Sequence, residues 1–173
     1  MQPALALEVQ PAIALLEKTP LVLETLLHAA PAEVLEWKPS AERWSIREVV
    51  AHLVDLETLF VERVRRILRE EAPQLPGFTP GGSLGGPFRD AIDRLVRFAV
   101  LRGELVGLVK DAPASAAART GIHEELGRIT LAQTLNELAN HDLGHLRQIA
   151  ELYRARAFYP NAGPFQRYSN PQP

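Results

Sequence analysis

Apolar residues recur every three to four positions along most of the chain, which is the spacing of one face of an α-helix. Four segments show this periodicity, and none shows the strong alternation of a half-buried strand. We predict helices over about Ala4–His28, Ile46–Glu70, Pro87–Lys110 and Thr130–Arg156. Four long amphipathic helices predict an all-α fold, an antiparallel four-helix bundle.

Two of these helices begin at clear signals. Ser45-Ile-Arg-Glu48 and Thr130-Leu-Ala-Gln133 both match the capping box, in which the first side chain accepts a backbone N–H and the last reaches back. Pro20 lies inside the first segment. It is compatible with a new helix that starts after Thr19 or with a kink in one long helix, and we favour the single kinked helix.

The segments outside the helices differ in character. Residues 72–87 contain five glycines and four prolines and predict a mobile loop between the second and third helices. The tail, residues 157–173, holds four of the nine Phe and Tyr residues, so we expect it to pack on the bundle or on a second subunit. We therefore predict one domain over residues 1–173, with its core at about 5–155.

Composition excludes several functional classes. At 173 residues, 46% hydrophobic and 23% charged, the chain fits one globular domain. No charge-free stretch reaches the roughly 18 residues of a membrane span, and the N-terminus lacks the pattern of a secretory signal. The chain has no cysteine, so we expect a cytoplasmic protein without membrane contact. A net charge of −2 with no broad basic face argues against a nucleic-acid partner.

The strongest chemical feature is the pair His141 and His145 on the fourth predicted helix. Residues four apart lie about 40° apart around a helix, so both imidazoles point to one side. That side is close to the core direction marked by Leu135 and Leu138. Inward imidazoles one turn apart suggest a shared cation. Such a pair also occurs by chance and on solvated faces.

His52 adds a third candidate ligand. It lies at the edge of the apolar stripe of the second helix, about two turns after the cap at Ser45. If the second and fourth helices pack antiparallel or diagonally, its ring can meet His141 and His145 across the core. The alternative is a partly exposed residue that is hydrogen-bonded to Glu48 or Asp55.

The remaining candidates have simpler interpretations. His28 ends the first helix, where a cation suits the helix dipole. His123 precedes the fourth helix, and we expect it at the surface rather than at a pocket mouth. Metal-bound histidines usually donate their second N–H to a carboxylate or carbonyl. The carboxylates placed for this role, or for proton transfer, are Glu48, Asp55, Asp142 and Glu137. Asp142 projects near the core and could instead pair with an inward arginine.

Two blocks carry a resemblance to a known family. Trp44-Ser-Ile-Arg-Glu-Val-Val-Ala-His52 is similar to the first histidine block of the DinB-like (YfiT-like) superfamily, and residues 127–149 resemble its second. The resemblance covers roughly residues 5–155. It implies an up-down-down-up four-helix bundle, homodimers, and a divalent metal, nickel or zinc, held by three histidines. Carried onto this sequence, the ligands are His52, His141 and His145.

The resemblance implies one fold but several kinds of activity. Relatives include bacillithiol S-transferases, mycothiol-dependent isomerases and proteins described only as metal-dependent hydrolases. We expect a metal-dependent enzyme acting on a small molecule, of the hydrolase or small-thiol S-transferase type. A thiol transferase without cysteine needs a low-molecular-weight thiol as a second cofactor. The alternatives are a non-enzymatic dimeric module that binds a metal or ligand, and a helical scaffold without metal.

Overall fold

A computed structural model of the chain describes residues 9–75, 77–78 and 91–173. Its long helices are α1 (Gln10–Ala29), α3 (Ile46–Arg69), α4 (Ala91–Lys110) and α5 (Leu131–Tyr153), and a short α2 spans Ala32–Glu36. The predicted all-helical bundle is confirmed, and α1 continues through Pro20 as one helix. The predicted starts at Ala4 and Pro87, and most of the glycine- and proline-rich loop, lie outside the described residues.

The helix directions follow from contacts near the helix ends. Helix α1 packs against α4 and α5, and α3 packs against the same two helices. Glu17, in the first half of α1, pairs with Lys110 at the end of α4, so these two helices run antiparallel. Tyr153, at the end of α5, donates to the carbonyl of Ala29 at the end of α1, at 2.6 Å. Helices α1 and α5 are therefore parallel.

Helix α3 runs against α5. His52 in its second turn meets His145 far along α5, whereas Arg63 near its end shares a pocket wall with Thr134 at the start of α5. The four long helices thus run up, down, down and up, as the resemblance implies.

Capping fixes where α3 and α5 begin. Ser45 Oγ accepts the N–H of Glu48 at 3.2 Å, and the Glu48 carboxylate accepts the N–H of Ser45 at 2.9 Å. Thr130 and Gln133 make the same reciprocal pair at 3.1 and 2.9 Å. Both predicted capping boxes are confirmed. Since each box sets the first residue of its helix, it also sets the turn on which each histidine falls.

A three-stranded sheet at the end of the bundle corrects the expectation of no strands. Strand β2 (Thr120–His123) pairs parallel with β1 (Gln74–Leu75) and antiparallel with β3 (Gly127–Thr130). Strands of two to four residues are too short to show a period, so the pattern did not reveal them. The sheet packs on α3 through β2, at the opposite end of α3 from His52.

The C-terminal segment continues from α5. Short helical turns follow over Arg154–Phe158, Tyr159–Asn161 and Gly163–Tyr168. Near the terminus Pro171 is buried, and the N–H of Gln172 donates to the Glu151 carboxylate at 2.8 Å. The segment therefore returns to α5, while several of its aromatic rings stay on the surface. No helix among the described residues is both long and apolar enough to span a membrane.

Candidate metal centre

Three imidazoles meet between α3 and α5. His52 Nε2 lies 3.0 Å from His141 Nε2, and His141 Nε2 lies 3.1 Å from His145 Nε2. All three rings are half-buried, and their ligand atoms lie within 4.8 Å of one another. The structure therefore brings together the three histidines that the sequence singled out. We refer to His52, His141 and His145 as the triad.

The donor atoms of the triad fit a metal ion. His145 Nδ1 pairs with the Gln148 side-chain oxygen at 2.9 Å, which places the proton on Nδ1 and leaves the Nε2 lone pair toward its neighbours. His141 Nε2 contacts both other rings, but one proton can mediate only one of these contacts. A cation can accept all three lone pairs at once. Nitrogens about 2.0–2.1 Å from a tetrahedral zinc ion would be about 3.3 Å apart, close to the observed separations.

Burial keeps the triad neutral. Desolvation, reinforced by the neighbouring rings, lowers the pKa of His52 to about 4 and that of His141 to about 3. Burial also lowers the pKa of His145, although its bond to Gln148 and the nearby Asp142 oppose the shift. At pH 7 all three rings are uncharged. Because a metal binds the neutral imidazole, no proton has to be removed before the ligands can act.

Aromatic side chains flank the triad. The ring of Trp44 stacks on that of His145 at 6.4 Å between centroids and lies 5.0 Å from that of His52. Phe78 presents its edge to His52 at 5.4 Å. These rings shield the imidazoles from water on one side and give any bound molecule an apolar surface to contact.

A buried ionic cluster lies behind the triad. Arg102 Nη1 donates to the Asp142 carboxylate at 2.6 Å, and its Nε donates to Glu57 at 2.8 Å. Arg102 Nη1 also donates to the Leu16 carbonyl at 3.0 Å. One guanidinium on α4 therefore connects α1, α3 and α5. The structural interpretation of Asp142, a pair with an inward arginine, is confirmed.

The other candidate carboxylates occupy different surroundings. Glu48 completes the cap of α3 and pairs with Lys38 at 3.0 Å, so its carboxylate serves the helix start. Asp55 is half-buried, one turn after His52 on α3. Glu137 is exposed, one turn before His141 on α5.

Of the two remaining histidines, one lies where the sequence predicted and the other does not. His28 is exposed in the last turn of α1, as expected. His123, expected at the surface, is only 8% exposed and lies on β2. Its Nε2 is 3.0 Å from Nη2 of Arg63 on α3. The error follows from the missed sheet, because pairing with β1 and β3 and packing on α3 enclose this ring.

Several supporting residues were not singled out from the sequence. Gln148 orients His145 from one turn further along α5, but a glutamine three residues after a histidine is unremarkable by itself. Glu57 and Arg102 could have been found from the sequence, because each places a charged residue on the apolar face of its helix. A charged residue on a buried face predicts a buried partner of opposite charge. Here the Arg102 guanidinium and the Glu57 carboxylate are each other's partners.

Comparison with known proteins agrees with this geometry. The sequence profile of a family described as the DinB superfamily matches residues 15–149. The fold is similar to that of YfiT from Bacillus subtilis, described as "a probable metal-dependent hydrolase with an unusual four-helix bundle topology". That match has a TM-score of 0.73 and 23% sequence identity, and it covers 89% of this chain and 91% of the other. At this identity the likeness concerns the fold. No curated protein matches the chain.

Proposed function

Since this chain belongs to the DinB superfamily, we propose that it is a metal-dependent enzyme in which His52, His141 and His145 hold one divalent transition ion. The observation that carries the proposal is the convergence of three neutral Nε2 atoms from two helices on one point. An all-nitrogen donor set suits zinc or nickel by ligand type.

Hydrolysis of a small molecule is the reaction we favour. When bound, the ion supplies a Lewis acid that lowers the pKa of a coordinated water, since three protein ligands leave a position open. In this reaction Gln148 holds the His145 tautomer, and Trp44 and Phe78 limit the access of bulk water. The description of YfiT as a probable hydrolase supports the same choice. Transfer of a low-molecular-weight thiol is the alternative, and the cysteine-free chain would take that thiol from solution.

Asp55 is the carboxylate we propose for proton transfer. Asp55 is half-buried on the same side of α3 as His52, one turn further along. We expect Asp55→Asn to lower kcat by roughly 10²-fold or more without loss of metal, in line with general-base catalysis.

Metal content tests the site. The native chain, purified without nickel-affinity chromatography, is compared with His52→Ala, His145→Ala and the control His28→Ala, whose histidine is exposed on α1. We expect about one equivalent of zinc or nickel per chain in the native protein and the control, and loss of the ion from both triad variants. Equal metal content in all four proteins, or none in any after addition of zinc or nickel, would refute the site.

Substrate screening tests the reaction. The metal-loaded chain is assayed against activated esters and amides and, separately, against small thiols with an electrophilic acceptor. We expect turnover in the first set that a chelator abolishes and added metal restores. Turnover only with thiols would favour the transferase. Metal binding without turnover in either set would favour the non-enzymatic binding module.

A further inference from the structure

The ionic cluster behind the triad carries more negative than positive charge. Arg102 contributes one positive charge, and Glu57 and Asp142 contribute one negative charge each. All three side chains are buried, each at most 1% exposed. We infer that the uncompensated negative charge raises the preference of the triad for a divalent over a monovalent metal ion. This inference rests on the proposed function and identifies residues that set the charge of the bound ion.

Hydrogen bonding within the cluster is complete, although its charge is not balanced. Arg102 Nε and Nη2 each donate to one oxygen of Glu57, both at 2.8 Å. Nη1 and Nη2 donate to the two oxygens of Asp142 at 2.6 and 3.1 Å. Every carboxylate oxygen therefore has a donor, and what remains uncompensated is one unit of negative charge.

The titration of Glu57 shows that this charge is costly. Burial raises the pKa of Glu57, and the negative charge of Asp142 adds to the shift, although Arg102 opposes both effects. A single guanidinium therefore does not fully stabilise two buried carboxylates. A further cation nearby would stabilise the ionised carboxylates, so the cluster favours positive charge in its neighbourhood.

The triad lies close enough to the cluster to interact with it electrostatically. Asp142 directly follows His141 along α5, and its charge favours a positive charge on His145. Arg102 acts in the opposite sense on His141. Since two carboxylates outnumber one guanidinium, the cluster as a whole favours positive charge at the triad.

The ligands themselves leave the charge of a bound ion uncompensated. Three neutral imidazoles supply lone pairs but no negative charge, and they are half-buried. A metal ion is the largest local charge in such a site, so fixed charges nearby affect its binding strongly. Because the Coulomb energy is proportional to the charge of the ion, the cluster stabilises a divalent ion about twice as strongly as a monovalent one.

Calorimetric titration with zinc(II) and with silver(I), in chloride-free buffer, tests the inference. Both ions bind imidazole, and they differ in charge. The chain has no cysteine and only one methionine, which limits competing sites for silver. His52→Ala, which lacks one ligand, gives the binding of each ion outside the triad. The comparison is between the Kd values of the native chain and those of Glu57→Gln, in which a neutral amide of similar shape replaces the carboxylate.

We expect Glu57→Gln to weaken zinc binding at least about tenfold more than it weakens silver binding. Glu57 follows His52 by five residues, so the charges are separated by a distance on the order of 10 Å. At that distance, removal of one buried charge changes affinity by roughly tenfold for each charge on the ion. Equal weakening of both ions would indicate a distorted site and would overturn the inference, as would unchanged Kd values.

Two further variants make the result specific. Glu137→Gln removes one charge from an exposed position one turn before His141, where water and salt screen it, and should change both Kd values by less than about twofold. If Glu57→Gln does not fold, the combination of Arg102→Met, Glu57→Leu and Asp142→Leu removes the same net charge and should show the same loss of preference for zinc. Zinc binding with an unchanged preference would refute this inference alone. A native chain that binds neither ion at the triad would refute the proposed function as well.

Discussion

At the residue scale, the triad depends on where single protons reside. His145 is fixed by Gln148. Burial and the His145 ring hold His52 neutral, and burial and both other rings hold His141 neutral. Three uncharged rings at this separation are compatible with a folded chain, whereas three charged rings would repel strongly. The site therefore links metal binding, protonation and stability.

Acid should destabilise the metal-free chain in a defined window. The pKa values of His52 and His141 in the folded chain are about 4 and about 3, against an ordinary value of 6.5. Below pH 6.5 the unfolded chain binds protons that the folded chain does not, so the free energy of unfolding falls from pH 6.5 toward pH 4. Above pH 6.5 the histidines are neutral in both the folded and the unfolded chain, so they cause no loss in the free energy of unfolding.

Urea unfolding of metal-free protein at pH 7 and pH 5 measures this loss. A double variant, His52→Phe with His141→Phe, should show a smaller difference between the two pH values. An unchanged difference in the double variant would show that other groups cause the acid sensitivity.

Gln148 should contribute to metal affinity without contacting the metal. Its side-chain oxygen holds the proton on His145 Nδ1 at 2.9 Å. We expect Gln148→Ala to weaken zinc binding about tenfold, the lower end for such supporting partners, because the group is uncharged. Arg147→Ala, at the exposed neighbouring position, is the control. Competition with a chromogenic chelator gives both Kd values. Equal Kd values for the two variants would contradict the role.

The sequence predicted the three histidines of the triad but not the side chain that orients His145. A His pair four residues apart has a fixed geometry on a helix, and the caps at Ser45 and Thr130 set the register of both helices. The partner of His145 depends on a side-chain rotamer, which helix periodicity does not specify. The environment of His123 depends on strand pairing with residues about fifty positions away.

At the element scale, Arg102 sets how the helices meet. Its guanidinium binds Glu57 on α3 and Asp142 on α5, all three almost inaccessible to water. Asp142 adjoins His141, and Glu57 lies just over one turn after His52. The same contacts that hold α3 against α5 therefore hold the two sides of the triad in register.

Removing the guanidinium alone should be costly. Arg102→Met leaves two buried carboxylates without their cation, and we expect a loss of about 3–5 kcal/mol in the free energy of unfolding. Replacing all three charges, with Arg102→Met, Glu57→Leu and Asp142→Leu, should recover most of that loss, because apolar packing substitutes for the ions. Chemical denaturation measures both variants. A triple variant less stable than Arg102→Met would contradict this account.

Gly121 should be required where the sheet meets α3. A Cβ atom there would lie 2.5 Å from Cδ1 and 2.8 Å from Cγ of buried Leu75. We expect Gly121→Ala to lower the free energy of unfolding by about 1–3 kcal/mol, the usual cost of overpacking. Gly103→Ala has open space around it in α4 and should raise stability by up to about 1 kcal/mol. Thermal unfolding of both variants checks the opposite signs, and a stable Gly121→Ala would show that Leu75 can move aside.

Element boundaries were predictable where side chains define them. The starts of α3 and α5 follow from capping residues, and α1 tolerates Pro20 as expected. The strands β1, β2 and β3 were missed because each gains its stability from its neighbours rather than from its own pattern.

At the scale of the whole molecule, the bundle agrees with the four predicted helices, and their directions were predicted by the family resemblance rather than by the hydrophobic pattern. Hydrophobic stripes show which face of a helix is buried, not which neighbour covers it. The homodimer implied by the resemblance stays a prediction. Val96 and Val100 on α4 are each 60% exposed and border a groove with Pro20 of α1. Apolar surface of this kind is available to a second copy.

Sedimentation should therefore report a particle of twice the chain mass of 19.1 kDa. Val96→Lys with Val100→Lys should shift it to the single-chain mass, because two ammonium groups would be buried in the interface. Val22→Lys, at a further exposed apolar position on α1, tests whether the effect is local. A native chain that sediments at 19.1 kDa at every concentration would exclude the dimer.

The ionic cluster of Arg102 also bears on the order of folding. Its partners come from chain positions 16, 57 and 142, so no fragment that lacks one long helix can complete it. A half-assembled bundle would have to bury a guanidinium or a carboxylate without its counter-charge, which raises the energy of such states. The cluster therefore destabilises partly folded forms more than it stabilises the native bundle. A chain of this design should fold and unfold in a single cooperative step, and its metal ligands should be assembled only in the complete bundle.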